Sequence, residues 1–456
     1  MSTGIRDLSS RLRSIIRQDV GRSADRPAAP KRPGREGGPV RELTYIPDTG
    51  SPIEFQSARA ARLLGGTVVE HEAGACIAID RVREPDEWHG RRQIGAYLAH
   101  LSGDAPMALF DRRRTLPPDW AARVVFFDIE TTGLSGGAGT IAFLVGCAWF
   151  DGDAFRIRQF FLSGPAGETA LLAELGRVFD DATLLVTFNG RTFDVPLMET
   201  RWAFHRRSSP TDDLPHFDML PPARRLWGRL REPLRRTADV AAAERSCSLT
   251  SLERSVLGFH RLGDVPGFEI PARYFHFLRT ADASVIEGVL DHNRHDLLSL
   301  AAVTAHACWL AKEGPLACRE PIEQVGLGGL YERAGDRTRA VEAYELAARA
   351  TDRDVRRLAL ARLAVLLRRD ARFDDAAAAW QGVLGMARDT GDRLTALERR
   401  AAEALAIHHE HRARDLPRAR RYAEVLCGQA SGRAATDAAY RLNRLNRKMS
   451  GGLFPD

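Results

Sequence analysis

No run of apolar residues in this 456-residue sequence reaches the roughly 18 positions that a membrane-spanning helix needs. The opening stretch, Met1 to Gly21, mixes charge with Ile and Leu instead of building the apolar core of a signal peptide, so a cytoplasmic protein is expected. Cysteine is sparse too. The six cysteines, Cys76, Cys147, Cys247, Cys308, Cys318 and Cys427, are scattered, with no Cys-x-x-Cys pair and no histidine at zinc spacing. That distribution argues against a disulfide framework or a zinc module and for reduced, buried thiols. Neither sign of charge dominates: 66 basic residues against 60 acidic ones leave +6, which leans only modestly towards a polyanionic partner.

What is present is an ordinary globular composition, 44% hydrophobic and 28% charged, in a chain too long for one core. Two or three domains with linkers are expected. Residues 1–40 read as a flexible basic arm, because Gly21 to Pro39 is rich in Pro, Gly, Arg and Ala without apolar periodicity. Before it, Ile5 to Val20 fits either a short amphipathic helix or a solvated tail. Residues 41–119 form a small mixed segment with strand-like pieces at Gly66 to Glu70 and Ala75 to Ile79. His71, His89 and His100 stand there at no ligand spacing.

A third segment, 120–314, opens with the all-apolar Val124 to Phe127, as suits a central strand covered on both faces. Strands follow at Ile141 to Phe150 and Phe155 to Leu162, joined through Asp151-Gly152-Asp153. A helix over Glu168 to Phe179, a strand over Leu184 to Phe188 and a helix over Val195 to Phe204 complete an α/β order. That order is similar to the ribonuclease-H-like fold, a mixed sheet flanked by helices. In the fourth segment, 315–449, Leu327, Gly328, Tyr331, Ala340, Tyr344 and Ala347 match the tetratricopeptide (TPR) pattern. Leu363, Ala364, Ala376 and Trp380 repeat it, and Leu405, Leu416 and Ala419 do so more weakly. An all-α, TPR-like solenoid is expected, with a generic helical bundle as its plain alternative.

Three acidic elements carry the chemistry. Asp128 and Glu130 follow the first apolar strand two residues apart, so both carboxylates point to one side. Acidic groups on a central strand are costly unless paired or bound to cations. Thr131 begins the small-residue stretch Thr131-Thr132-Gly133-Leu134, where a ligand can approach the backbone. Asp194 ends Phe188-Asn189-Gly190-Arg191-Thr192-Phe193-Asp194, where a plain N-cap is the competing reading. The third element is a helix over Ser284 to Leu310 with a seam through Val285, Val289, His292, Asp296 and Leu300. Its two polar members either serve a site or satisfy each other as an i, i+4 pair.

In this order the elements resemble the DEDD exonuclease superfamily, Asp128 and Glu130 matching its first motif, Asp194 its second and Asp296 its third. The resemblance implies that these carboxylates hold two divalent ions, Mg²⁺ or Mn²⁺, for phosphodiester hydrolysis. His292 stands four residues before Asp296, the spacing of the superfamily's tyrosine but with a histidine, and an imidazole can act as general base near neutrality. A wider resemblance, to the bacterial YprB-type family of predicted exonucleases with TPR repeats, rests on longer runs. These are Leu134 to Thr140, His216 to Leu220, Arg224 to Trp227, Cys247 to Leu249, Asp264 to Gly267 and Asp291 to Asp296. His216 and Asp218 belong to it but read as structural.

The expected function is a 3′-to-5′ exonuclease on single-stranded DNA or RNA, with Thr131, Asn189, Arg191, Arg201, Arg224 and Arg225 contacting the nucleic acid. A protein partner would bind the repeats. The alternatives are an adaptor whose nuclease-like domain turns over little, and a structure-selective endonuclease on the same fold.

Overall fold

The computed structural model describes residues 53–450 except 73, 102–108, 111–119, 134–138, 229–246, 387–393 and 429–432. The basic arm and the Ile5 to Val20 segment lie outside the described residues. After helix α1 (Ile53–Leu64) come β1 (Thr67–His71) and β2 (Gly74–Arg83), the short hairpin β3 (Trp88–His89) and β4 (Arg92–Gln93), and α2 (Ile94–His100). Then follow β5 (Val124–Thr131), β6 (Ala142–Asp151), β7 (Ala154–Phe161), α3 (Glu168–Asp180), β8 (Leu184–Thr187), α4 (Asp194–Phe204), β9 (His216–Asp218) and α5 (Leu220–Leu226). The turn between β6 and β7 is the one read from the sequence: Asp151 pairs with Ala154, and Gly152 takes φ 58°, where a side chain would be strained.

Seven strands form one sheet in the order β1-β2-β7-β6-β5-β8-β9, antiparallel from β1 to β5 and parallel from β5 through β8 to β9. The strand-like pieces read at Gly66 to Glu70 and Ala75 to Ile79 lie in β1 and β2, and both join this sheet, β2 pairing along β7 and β1 forming the edge. The alternation of β5 explains its apolar run: Val124 and Phe126 enter one core, while Val125, Phe127 and Ile129 enter the core on the opposite face. Exposure begins at Asp128 and Glu130, so the polar residues sit where the strand leaves its double cover.

Helix α6 (Leu249–Leu252) runs into a π-helical turn over Glu253–Leu257, and α7 (Ile270–Thr280) leads to the 30-residue α8 (Ser284–Glu313). This long helix lies over the face of β5 and β6 that bears Asp128. Gly146 makes the approach possible, because a Cβ there would meet Asn293 Oδ1 at 2.2 Å and Leu297 Cδ1 at 2.7 Å. None of the described helices is long and apolar enough to cross a membrane.

The remaining helices are α9 (Pro321–Ala334), α10 (Arg337–Ala347), α11 (Arg353–Arg369), α12 (Phe373–Leu384), α13 (Ala396–His411), α14 (Leu416–Cys427) and α15 (Arg433–Met449). Their starts are written locally: Asp336, Asp352 and Asp415 cap α10, α11 and α14, and Thr395 with Glu398 forms a capping box on α13. Helices α9 and α10 approach closely at Gly328, where a Cβ would be 2.7 Å from the Tyr344 ring. Leu327, Leu330, Tyr331, Ala340 and Tyr344 share one core with Phe126, Val186 and Leu300 of the sheet and α8.

Candidate functional site

The carboxylates singled out in the sequence converge where β5, α4 and α8 meet. Asp128 and Glu130 lie on one face of β5, opposite Gly146 and Leu144 of β6, and a register shift after Glu130 turns the strand end aside. Asp194 is buried as the first residue of α4; the N-cap is Phe193, whose side chain makes no cap. The N-cap reading of Asp194 is therefore replaced by a carboxylate turned towards the sheet, hydrogen-bonded by the backbone of Ile129. Asp296 stands on α8.

Their charges act on one another. Burial pushes Asp128 well above the usual carboxylate range, and Asp296, Glu130 and Asp194 push it further. Glu130 rises for the same reasons, burial first, then Asp296 and Asp194. Asp194 rises to about 7 through burial and the nearby charges of Asp218 and Asp296, against lowering hydrogen bonds from the backbone. A buried group of mutually repelling carboxylates is what a divalent cation stabilises.

Helix α8 differs from the seam read in the sequence. The positions buried against the sheet are Ile286, Val289, Leu290, Asn293 and Leu297, whereas Val285, His292 and Asp296 lie at the half-buried margin. Asn293, not His292, is the polar residue of the seam. It is fully buried, its Nδ2 donating to Asp128 Oδ2 at 2.8 Å while its Oδ1 accepts from Gln159 Nε2 at 2.8 Å. Gln159 donates also to the Leu290 carbonyl at 2.9 Å, which locks β7, α8 and Asp128 together.

His292 faces carboxylates on both sides. Its Nδ1 lies 2.9 Å from Asp264 Oδ1, and its Nε2 lies 3.3 Å from Asp296 Oδ2 and 3.9 Å from Glu130 Oε1. Ligand atoms of Glu130, His292 and Asp296 all fall within 4.8 Å of one another. Arg261 stands behind them, bridging Asp296, Glu253 (2.5 and 2.8 Å) and Asp264 (3.2 Å), with only 3% of its side chain exposed. Burial alone would lower Arg261, but its bonds to Glu253 and Asp296 hold it above the usual guanidinium range.

Sequence reading missed Arg261, Glu253, Asn293, Gln159 and Asp264. Asn293 and Asp264 did stand inside the runs Asp291 to Asp296 and Asp264 to Gly267, but nothing in the spacing said what they touch. Asp218 accepts from the backbone of Asn189, Arg191 and Leu220, and His216 hydrogen-bonds Thr187 Oγ1. Asp218 thereby fixes the turn that carries Asn189, at φ 70°, towards Asp194.

The expected nucleic-acid contacts divide. Arg191 is exposed on that turn, and Asn189 beside it accepts from Thr192 Oγ1. Thr131 is buried, donating to the Gly133 carbonyl. Arg201 is corrected: it is 3% exposed and clamped bidentate on Glu168 at 2.6 and 2.5 Å between α3 and α4, so it supports the scaffold. Arg225 donates to the Phe110 carbonyl, a scaffold contact as well, whereas Arg224 is exposed.

Comparison with known proteins agrees with this architecture. The family profile of the ribonuclease H superfamily matches residues 125–308, the stretch from β5 through most of α8. The uncharacterized protein YprB of Bacillus subtilis (strain 168) is 32% identical over 332 residues, covering 71% of this chain and 75% of that protein.

Proposed function

The chain belongs to the family of the Bacillus subtilis YprB protein and contains a ribonuclease H superfamily domain, and on that premise we propose that it is a metal-dependent nuclease. The single observation that carries the reading is the convergence of Asp128, Glu130, Asp194 and Asp296 on one locus, where burial and the neighbouring carboxylates raise the proton affinities of Asp128, Glu130 and Asp194. The donor set, oxygen-rich and charged, fits hard divalent ions such as Mg²⁺ or Mn²⁺. When bound, two such ions would activate a water and stabilise the departing oxygen of a phosphodiester.

The chain's own residues orient the site. Asn293 and Gln159 hold Asp128, Arg261 holds Asp296, and the backbone of Ile129 holds Asp194. Arg191 on its exposed turn, with Arg224, is suited to contact phosphate, while Thr131 and Asn189 shape the loops on either side. Order and spacing of the acidic motifs favour the DEDD type acting 3′-to-5′ on single-stranded DNA or RNA, with TPR-type helices recruiting a protein partner. The test is release of mononucleotides from end-labelled DNA and RNA oligonucleotides with Mg²⁺ or Mn²⁺. Folded protein that releases none from either, with both ions, sinks the proposal. First cuts within a circular substrate would turn the reading to an endonuclease.

A further inference from the structure

We infer that His292 is a metal ligand, joining Glu130 and Asp296 in a mixed nitrogen and oxygen site that prefers a first-row transition ion to Mg²⁺. The inference rests on the nuclease reading of the same carboxylates and replaces the role of general base that motif spacing gives this histidine.

His292 Nδ1 lies 2.9 Å from Asp264 Oδ1 and 3.4 Å from Arg261 Nη1; a carboxylate can only accept, and the much shorter contact places a proton on Nδ1, leaving the guanidinium to its carboxylates. The lone pair of the neutral ring is then on Nε2, and Nε2 points at Asp296 Oδ2 and Glu130 Oε1. Three electron-rich atoms within 4.8 Å, half-buried, repel one another unless a cation lies among them. A general base needs its lone pair aimed at a water, whereas this one is aimed at two other donors.

The surroundings complete the pattern of an imidazole ligand. Such a histidine gives its other N–H to a carboxylate, which fixes ring orientation and tautomer. Asp264 does this here, and Arg261 in turn anchors Asp264 and Asp296 together. Arg261 also accounts for Asp296 being presented to His292 through one oxygen, since the guanidinium occupies the other. Imidazole nitrogen suits Mn²⁺ and later transition ions, whereas Mg²⁺ is bound through oxygen and water.

The experiment uses full-length protein and Mn²⁺ as the probe, read by pulsed electron paramagnetic resonance. Bound Mn²⁺ is expected to show ¹⁴N coupling from a directly coordinated imidazole, and His292→Ala is expected to abolish it. By calorimetric titration, Asp264→Ala should weaken Mn²⁺ binding about 10- to 100-fold, and His292→Ala at least as much. Mg²⁺ binding, held by oxygen donors, should change much less in both. Wild-type protein that binds Mn²⁺ without ¹⁴N coupling overturns the inference and needs no variant to fold. Strand cleavage is scored separately: coupling without cleavage upholds the ligand and sinks the nuclease reading, whereas cleavage without coupling overturns the ligand alone.

Discussion

Arg261 is the residue on which the most charges depend. Its guanidinium and the Glu253 carboxylate are both almost wholly buried, at 3% and 1% exposure. Burial pushes Glu253 up even with the two hydrogen bonds from Arg261, so desolvation takes back much of what the pair gains. Losing one partner is then far costlier than the pair is stabilising, because it strands a buried charge. Arg261→Met is expected to destabilise the fold by about 3–5 kcal/mol in urea unfolding. The double variant Arg261→Met with Glu253→Leu should recover a large part of that loss, and no recovery would show that the pair's charges are not what matters. Asp128 behaves in the opposite sense. Its proton affinity is raised by burial and then by Asp296, Glu130 and Asp194, so Asp128→Asn removes repulsion while leaving an acceptor for Asn293. The variant should lose cleavage by at least about 100-fold, the scale on which catalytic groups act. In metal-free buffer at neutral pH it should nevertheless melt higher than wild type, and a lower melting point would contradict the mutual repulsion.

At the scale of elements, the site depends on how closely α8 lies against β6, and Gly146 sets that distance. A Cβ at this position would meet Asn293 Oδ1 at 2.2 Å. Asn293 is fixed on its far side by Gln159 and cannot retreat without releasing Asp128. Gly146→Ala is expected to cost about 1–3 kcal/mol as overpacking and to lower kcat more than it raises KM. Equal effects on both, or none on stability, would mean that α8 tolerates displacement. The central elements were legible in the sequence because their signals are local: the apolar run of β5, the Asp151-Gly152-Asp153 turn, the spacing of α3 and the acidic motifs. The extent of the sheet was not. Pairing of β2 along β7 joins residues about eighty positions apart, and no short-range pattern encodes such a partner. Nor did periodicity distinguish His292 from Asn293 on α8, since both neighbour the seam and only the packed sheet decides which is buried. Arg201 failed for a related reason. A basic residue near a phosphate motif looks like a contact until its own acid, Glu168, is found beside it.

At the scale of the whole molecule, two sets of buried groups pull the pH dependence of stability in opposite directions. His89 and His306 are held down to about 3, mainly by burial, so they stay neutral in the fold. Each contributes stability that is present above the ordinary histidine range, near 6.5, and is lost as pH falls from there towards 3. Asp128, Glu130 and Asp194 are raised, Asp194 to about 7. Their contribution is complete below the ordinary carboxylate range and is lost as pH rises through the folded values. Metal-free protein should therefore be most stable at mildly acidic pH and lose melting temperature between about pH 6 and 8. A divalent cation binds the ionised carboxylates of the folded state only, so it should restore the alkaline limb, by about 2.7 kcal/mol at a hundred times its Kd. Melting curves from pH 5 to 9, in EDTA and in saturating Mn²⁺, measure both limbs. A metal-free curve that stays level or climbs from pH 6 to 8 would refute the repulsive cluster. The same curves report on the joint between sheet and helices, because the core that holds Phe126 and Val186 continues through Leu300 into Leu327, Tyr331 and Tyr344. The packing beyond it falls into separate clusters, one around Trp380 and Leu405 and others around Leu426 and Leu445. Heat should accordingly unfold the sheet with α9 to α11 in one metal-sensitive transition. Amides of α14 and α15 should exchange earlier and without regard to Mn²⁺. Protection of those amides that rises with Mn²⁺ as much as that of β5 would mean that the whole chain opens as one unit.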